Sequence, residues 1–191
     1  MGGFRYLAVM ISMVLGFGLS TLCAGIGNLV QIRRRVKLYW LHSLWVLLLI
    51  VLHVHLWWAF WSLRGVADWT YAGFLFVLIG PGALVIASHI VIPELLAERI
   101  NVETYYFDTS PLFFGILTVG AIWFMLLEPI IGSQRFLVPV RFLQAVAVVA
   151  LGCCTASKDR RVHVAAIGAI VAVLVTAIAL ARFSLAQFGL R

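Results

Sequence analysis

Residues 39–61 read YWLHSLWVLLLIVLHVHLWWAFW. No lysine, arginine, aspartate, glutamate, glycine or proline interrupts the stretch. A helix that crosses the hydrocarbon of a bilayer needs about 20 mostly apolar residues, and this run supplies them. Tyr39 and Trp40 stand at one end, and Trp57, Trp58 and Trp61 at the other. Amphipathic rings settle in this way at the two membrane–water borders. The stretch therefore predicts a transmembrane helix over 39–63.

The pattern recurs along the chain. Apolar runs at 6–30, 70–93, 111–131, 138–156 and 163–185 predict five further spans. Of the 191 residues, 64% are hydrophobic and 11% are charged, and the mean hydropathy is +1.10. Soluble domains run at about 45–50% apolar and about 25% charged. The difference excludes a soluble globular domain, a disordered chain, a coiled coil and a collagen-like chain. The expected fold class is all-α: a polytopic integral membrane protein with a single bundle of six transmembrane helices. Six spans with short connections occupy residues 1–191 and leave no room for a soluble domain. The first run is too long for the apolar segment of a cleaved signal peptide and reads as the first span. Three cysteines, Cys23, Cys153 and Cys154, give no disulfide framework and read as small packing residues.

Charge sets the expected orientation. The connection at 31–38 carries Arg33, Arg34, Arg35 and Lys37; 94–110 carries Arg99; 157–162 carries Lys158, Arg160 and Arg161. The remaining basic residues, Arg5, Arg64, Arg135, Arg141, Arg182 and Arg191, fall singly on the other side. The positive-inside rule places the first, third and fifth connections in the cytoplasm and both termini outside, across a plasma membrane of the bacterial inner-membrane type. The net charge of +7 then reflects topology and contact with lipid headgroups, not nucleic-acid binding. Glu94, Glu98, Glu103 and Asp108 read as a solvated acidic linker.

Local signals refine the spans. Asp108, Thr109 and Ser110 before Pro111 predict a capped start to the fourth span. Gly80-Pro81-Gly82 falls in the middle of the third span and predicts a break that frees backbone carbonyls. Ser12, Gly16, Ser20 and Ala24, spaced by four, form a flat small-residue face on the first span. Gly168, Ala172 and Thr176 do the same on the sixth. These faces predict packing within the bundle or, as the sharper alternative, a homo-oligomer contact.

Ionisable residues within a span are costly and mark functional candidates. At about 1.5 Å rise per residue, His53 and His55 lie within roughly 6 Å of the centre of the second span. Gln144 is similarly central in the fifth span, on its outer side. Glu128 and Arg141 share a depth farther out, whereas His42 and His89 match each other in the inner half. His42, Trp45, Leu49, His53, Trp57 and Phe60 form one stripe on the second helix, and His55 points nearly the opposite way.

Several readings follow. In the simplest, each histidine donates to a backbone carbonyl and Glu128 pairs with Arg141. The lead function is a small channel or transporter for protons, ions or a small solute, with His53, His55, Glu128, Arg141 and Gln144 lining the path and His42, His89 and Asn28 its inner half. This reading needs no cofactor. In a redox alternative, His42 and His89 ligate a haem b between the second and third spans. A third reading is an accessory or assembly subunit without chemistry, for which packing faces suffice. The zinc helix motif, serine elbow and phosphate loop are all missing from the sequence, so an enzyme is the thinner expectation, reduced to one acting on lipid or isoprenoid headgroups. The expected partners are the lipid bilayer, further copies of the chain and a small ion or solute.

Overall fold

The structure, a computed structural model, describes residues 3–66, 68–93, 99–131 and 139–181. Their backbone forms six α-helices: α1 (Gly3–Gln31), α2 (Trp40–Ala59), α3 (Tyr71–Val91), α4 (Val102–Ile131), α5 (Pro139–Ala156) and α6 (Arg160–Ala181). A 3-10 turn over Phe60–Gly65 extends α2. Five segments, Gly3–Gln31, Trp40–Gly65, Tyr71–Val91, Val102–Ile131 and Arg160–Ala179, are long and apolar enough to cross a membrane. A shorter apolar helix covers Arg141–Ala156.

Successive helices run in alternate directions. Phe4 of α1 meets Trp61 after α2, His42 at the start of α2 meets Val91 at the end of α3, and Tyr106 near the start of α4 meets His163 of α6. α3 packs against α1 and α4, α5 against α4 and α6, and α2 lies against α1, α3 and α4. One end of the bundle, the basic end, gathers Arg33, Arg34, Arg35, Lys37, Lys158 and Arg160 beside the starts of α2, α4 and α6. There Val36–Lys37 pairs in parallel with Ile100–Asn101, and Ile100 N–H donates to Arg35 O at 3.0 Å. Two-residue strands are too short to display a sequence period, and the pairing joins what the sequence presents as two loops.

Helix starts differ from the sequence boundaries for local reasons. α4 begins at Val102 rather than 111, so Glu103 and Asp108 belong to a helix and not to a linker. Asn101 Oδ1 accepts the Glu103 N–H at 3.1 Å, and Asp108, Thr109 and Ser110 cap nothing at 111. Pro111 lies inside α4, where its ring removes the donor for the Phe107 carbonyl. Ser110 Oγ donates to that carbonyl at 3.0 Å instead. α6 begins at Arg160, with Asp159 Oδ1 accepting the Arg161 N–H at 2.8 Å. Arg182, Arg135, Glu94, Glu98 and the end of the sixth run lie outside the described residues.

α1 also turns differently from the expectation of packing through its small face. It buries Leu7, Ile11, Leu15, Gly18, Leu22 and Gly25, while Ser12, Gly16, Ser20 and Ala24 are exposed. Gly168, Ala172 and Thr176 on α6 are exposed as well, and Gly16 and Gly168 have open space where a Cβ would stand. Leucine and isoleucine make more dispersion contacts than serine or glycine, so the bundle takes the branched face. Gly18 is the exception that this face requires, because a Cβ there would collide with the His53 ring.

Near the basic end the interior is a cluster of rings. Trp45 meets Phe114 and Phe113 edge-on at 4.9 and 5.9 Å, and His163 meets Phe114 at 5.1 Å. The Tyr106 hydroxyl donates to His163 Nδ1 at 2.7 Å, and His163 Nε2 donates to Ser157 O at 2.7 Å. The buried polar groups of His163 and Tyr106 are thus satisfied within the packing, as interior polar groups must be to avoid a cost of about 1–3 kcal/mol each. Cys154 is buried beside this cluster's helices, whereas Cys23 and Cys153 are exposed.

Candidate functional site

At the opposite end of the bundle, Pro129 follows Glu128 inside α4. Proline has no N–H, so the carbonyl four residues earlier, that of Met125, loses its helical donor. Arg141 in the first turn of α5 replaces it, with Nη1 donating to Met125 O at 2.7 Å. The same nitrogen donates to Oε1 of Gln144, three residues along α5, at 2.8 Å. Nη2 reaches Glu128 Oε2 at 3.3 Å. The Arg141 and Glu128 side chains are 7% and 31% exposed, so the cation is buried and its carboxylate lies at the margin. Arg141 Nε is buried with no acceptor among the described residues.

Glu128 and Gln144 border a partly open cavity of about 310 Å³ lined by residues of α2, α3, α4, α5 and α6. His55 and Ser62 also line it. The Ser62 hydroxyl donates to Ala59 O at 2.9 Å, which leaves its oxygen able to accept. His55 packs edge-on to Phe124 at 6.5 Å. The other walls are hydrocarbon, with Leu143, Ala147, Val173 and Leu174 among them, and Trp45 closes the cavity toward the ring cluster. Gly80 creates part of this shape. It leaves room for the Trp123 ring, where any Cβ would collide, and Trp123 Nε1 donates to Phe76 O at 2.7 Å in the α3 turn before Pro81. The expected break does not occur, since α3 runs as one helix through Pro81; the glycine–proline segment receives an aromatic wall from α4, and the cavity beside it is mainly apolar.

A second concavity, of about 490 Å³, opens between α1 and the end of α2 and is walled by Phe4, Met13, Trp57, Trp58 and Trp61. Its Ser12 hydroxyl accepts from Trp57 Nε1 at 3.0 Å and donates to Ala8 O at 2.7 Å. That groove is the larger of the two, but its walls are almost entirely rings and hydrocarbon. The smaller cavity is the one of the two with a charged residue, Glu128, in its lining, and ligand sites between helices combine apolar walls with a few placed polar groups.

The residues singled out in the sequence separate into three places. Glu128, Arg141 and Gln144 converge, and His55 lines the same cavity. His53 lies between α1 and α2 with no exposed surface, its Nδ1 donating to Leu49 O at 2.8 Å. Its Nε2 is buried, faces Gly18 and has no partner among the described residues. His42 is buried at the basic end and donates from Nε2 to Val91 O at 2.6 Å. His89 is exposed and donates from Nδ1 to Val85 O at 3.0 Å. His42 and His89 do not fit a shared haem: the Nε2 of His42 is committed to a carbonyl, His89 is turned to the surface, and neither lines the cavity. Asn28 is exposed on α1.

The α2 stripe faces protein at His42, Trp45, Leu49, His53 and Phe60, all buried, and leaves Trp57 exposed. Sequence reading alone misses Ser62, Trp123 and the Met125 carbonyl. For Met125 a signal exists, since the rule that marks freed carbonyls before Pro81 applies equally to Pro129. Comparison of the chain with family models, with curated proteins and with solved structures finds no match.

Proposed function

We propose that this chain is a six-span integral membrane protein that carries a small amphipathic solute. The solute's apolar body occupies the cavity between α2 and α6, and its polar group lies against Glu128, Arg141 and Gln144. The basic end faces the cytoplasm and both termini lie outside, in a membrane of the bacterial inner-membrane type.

One observation carries this reading. Glu128 and Gln144, from two helices and both bonded to Arg141, border a mainly apolar cavity of about 310 Å³ that His55 and Ser62 also line. That volume lies at the lower end of the range of small-molecule sites, about 300–1,000 Å³. An ion or proton path through the same edge would also need His53 and His42 to continue it, and both are held in packed interfaces against backbone carbonyls. The cavity walls suit carbon chains better than hydrated ions, because an ion without its water pays heavily for entering hydrocarbon.

The test is transbilayer movement of fluorescent single-chain amphiphiles in proteoliposomes, read by back-extraction to albumin. A glucosyl-headed and a phosphate-headed dodecyl probe are compared in the presence and absence of the protein. The expected result is acceleration of at least one probe, lost in Ala147→Trp and in Ala177→Phe, which fill the cavity from α5 and α6. Rates equal to those of empty vesicles, or unaffected by both filling variants, overturn the reading.

A further inference from the structure

The hydrogen-bond inventory at the polar edge of the cavity narrows the head chemistry of the solute. Arg141 and Glu128 form a pair at 3.3 Å, so the site has no net charge to offer. The pair is already matched, so a second charge brought beside it would find no counter-ion there, and an unpaired charge against the apolar walls is disfavoured. What the pair and its neighbour do offer is hydrogen-bonding groups without partners among the described residues. Gln144 spends its Oε1 on Arg141, which turns its amide nitrogen into a donor with no acceptor among the described residues. Glu128 uses Oε2 for Arg141, and its second oxygen has no donor among them. Arg141 Nε is a further donor, buried and unpartnered among the described residues. Ser62 adds an oxygen that can accept, since its own proton goes to Ala59 O.

A single oxygen that both donates and accepts matches this set: its O–H donates to Glu128 and its lone pair accepts from the Gln144 amide. A carbonyl has no proton for Glu128, and an ammonium has no lone pair for Gln144. We infer that the solute is a hydroxyl-headed, uncharged lipophile, an alcohol or polyol on a hydrocarbon chain, with its head between Glu128 and Gln144 and its chain toward Trp45. The inference rests on the cavity being the solute site.

The test uses the full-length protein in lipid nanodiscs with a diazirine-bearing 1-O-alkylglycerol as photolabel and peptide mass spectrometry to place the label. Three competitors share one chain and differ in head: 1-O-dodecylglycerol, dodecyl phosphate and dodecylammonium. Labelling is expected on the cavity segments 143–151 and 170–177. Dodecylglycerol is expected to displace it at about tenfold lower concentration than either ion, a difference of about 1.4 kcal/mol. In Glu128→Gln the site gains a net positive charge, and the order is expected to invert in favour of dodecyl phosphate. Gln144→Leu is expected to raise the dodecylglycerol concentration needed and leave that of the two ions unchanged.

Cavity labelling displaced equally well by either ion in the unmodified protein overturns the head assignment and leaves the carrier reading standing. An unchanged order in Glu128→Gln does the same. Labelling confined to segments outside the cavity overturns the inference together with the solute site. Labelling in the cavity with no transbilayer movement of any probe removes transport and keeps the binding chemistry.

Discussion

The two halves of the bundle are built from the same helices and end in opposite ways. Toward the basic end, Trp45, Tyr106, Phe113, Phe114 and His163 meet ring against ring, and the interior is closed. Toward the other end, α5 and α6 present Ala147, Val173 and Ala177, and the same α4 that carries the rings shows Gly120 and Ala121 to a cavity. Side-chain volume accounts for the contrast. Helices are near-rigid cylinders about 8–10 Å apart, so the alanine, valine and glycine positions of α4, α5 and α6 leave space even where Trp123 and Phe124 supply part of the wall. The closed half ties Tyr106 to His163 to Ser157 in one chain of hydrogen bonds, while Trp45 Nε1 and the Tyr39 hydroxyl are buried without a partner among the described residues. In the open half, Glu128, Arg141 and Gln144 pair with one another, and some of their donors and one acceptor have no partner among the described residues. The packed half holds the helices together, and the half with volume and a polar edge is the one that the proposed solute would occupy.

The largest test of this contrast is Trp45, which belongs to both halves as the ring cluster's edge and the cavity's floor. Trp45→Ala is expected to cost about 3–5 kcal/mol, read as a lowered denaturation midpoint in detergent. Leu143→Ala, at a wall already facing empty space, is expected to cost clearly less. Equal losses at the two positions would erase the distinction between a packed half and an open one.

Next in size is the polar edge. Arg141→Leu leaves Glu128 and the Met125 carbonyl without their donor and is expected to cost about 1–3 kcal/mol. Glu128→Leu/Arg141→Leu is expected to recover part of that loss in a double-mutant cycle, and the charge-swapped pair likewise. A coupling near zero would mean that the two side chains act independently.

The contact between α1 and α2 comes third. Gly18→Ala places a Cβ into the His53 ring and is expected to cost about 1–3 kcal/mol as overpacking, with His53→Ala in the same chain relieving it. The smallest effect is expected on the exposed stripes. Gly16→Leu and Gly168→Leu point into open space and are expected to shift monomer stability by less than about 0.5 kcal/mol, so a large loss at either would place those faces against a partner copy.

Composition and periodicity make much of this legible beforehand. The run 39–61 announces α2, its stripe announces which side of α2 faces protein, and the shared depth of Glu128 and Arg141 announces their pairing. Other features stay hidden until helices are placed. The small faces of α1 and α6 read as packing surfaces, yet which face a helix buries depends on the helix beside it, and α1 found partners for its leucines. Helix starts at Val102 and Arg160 depend on single hydrogen bonds from Asn101 and Asp159, which lie below the resolution of a hydropathy pattern.

By itself, then, the sequence determined a helical chain with apolar segments of membrane-spanning length, their approximate order and the polar residues that such segments carry at a cost. Only the tertiary structure decided that Glu128 and Gln144, both bonded to Arg141, line one cavity with His55 while His53 and His42 do not. Spacing along a chain sets the angle of a side chain about its own helix axis. Which cavity that angle faces is set by neighbouring helices, whose placement follows from the summed contacts of residues far apart in the chain.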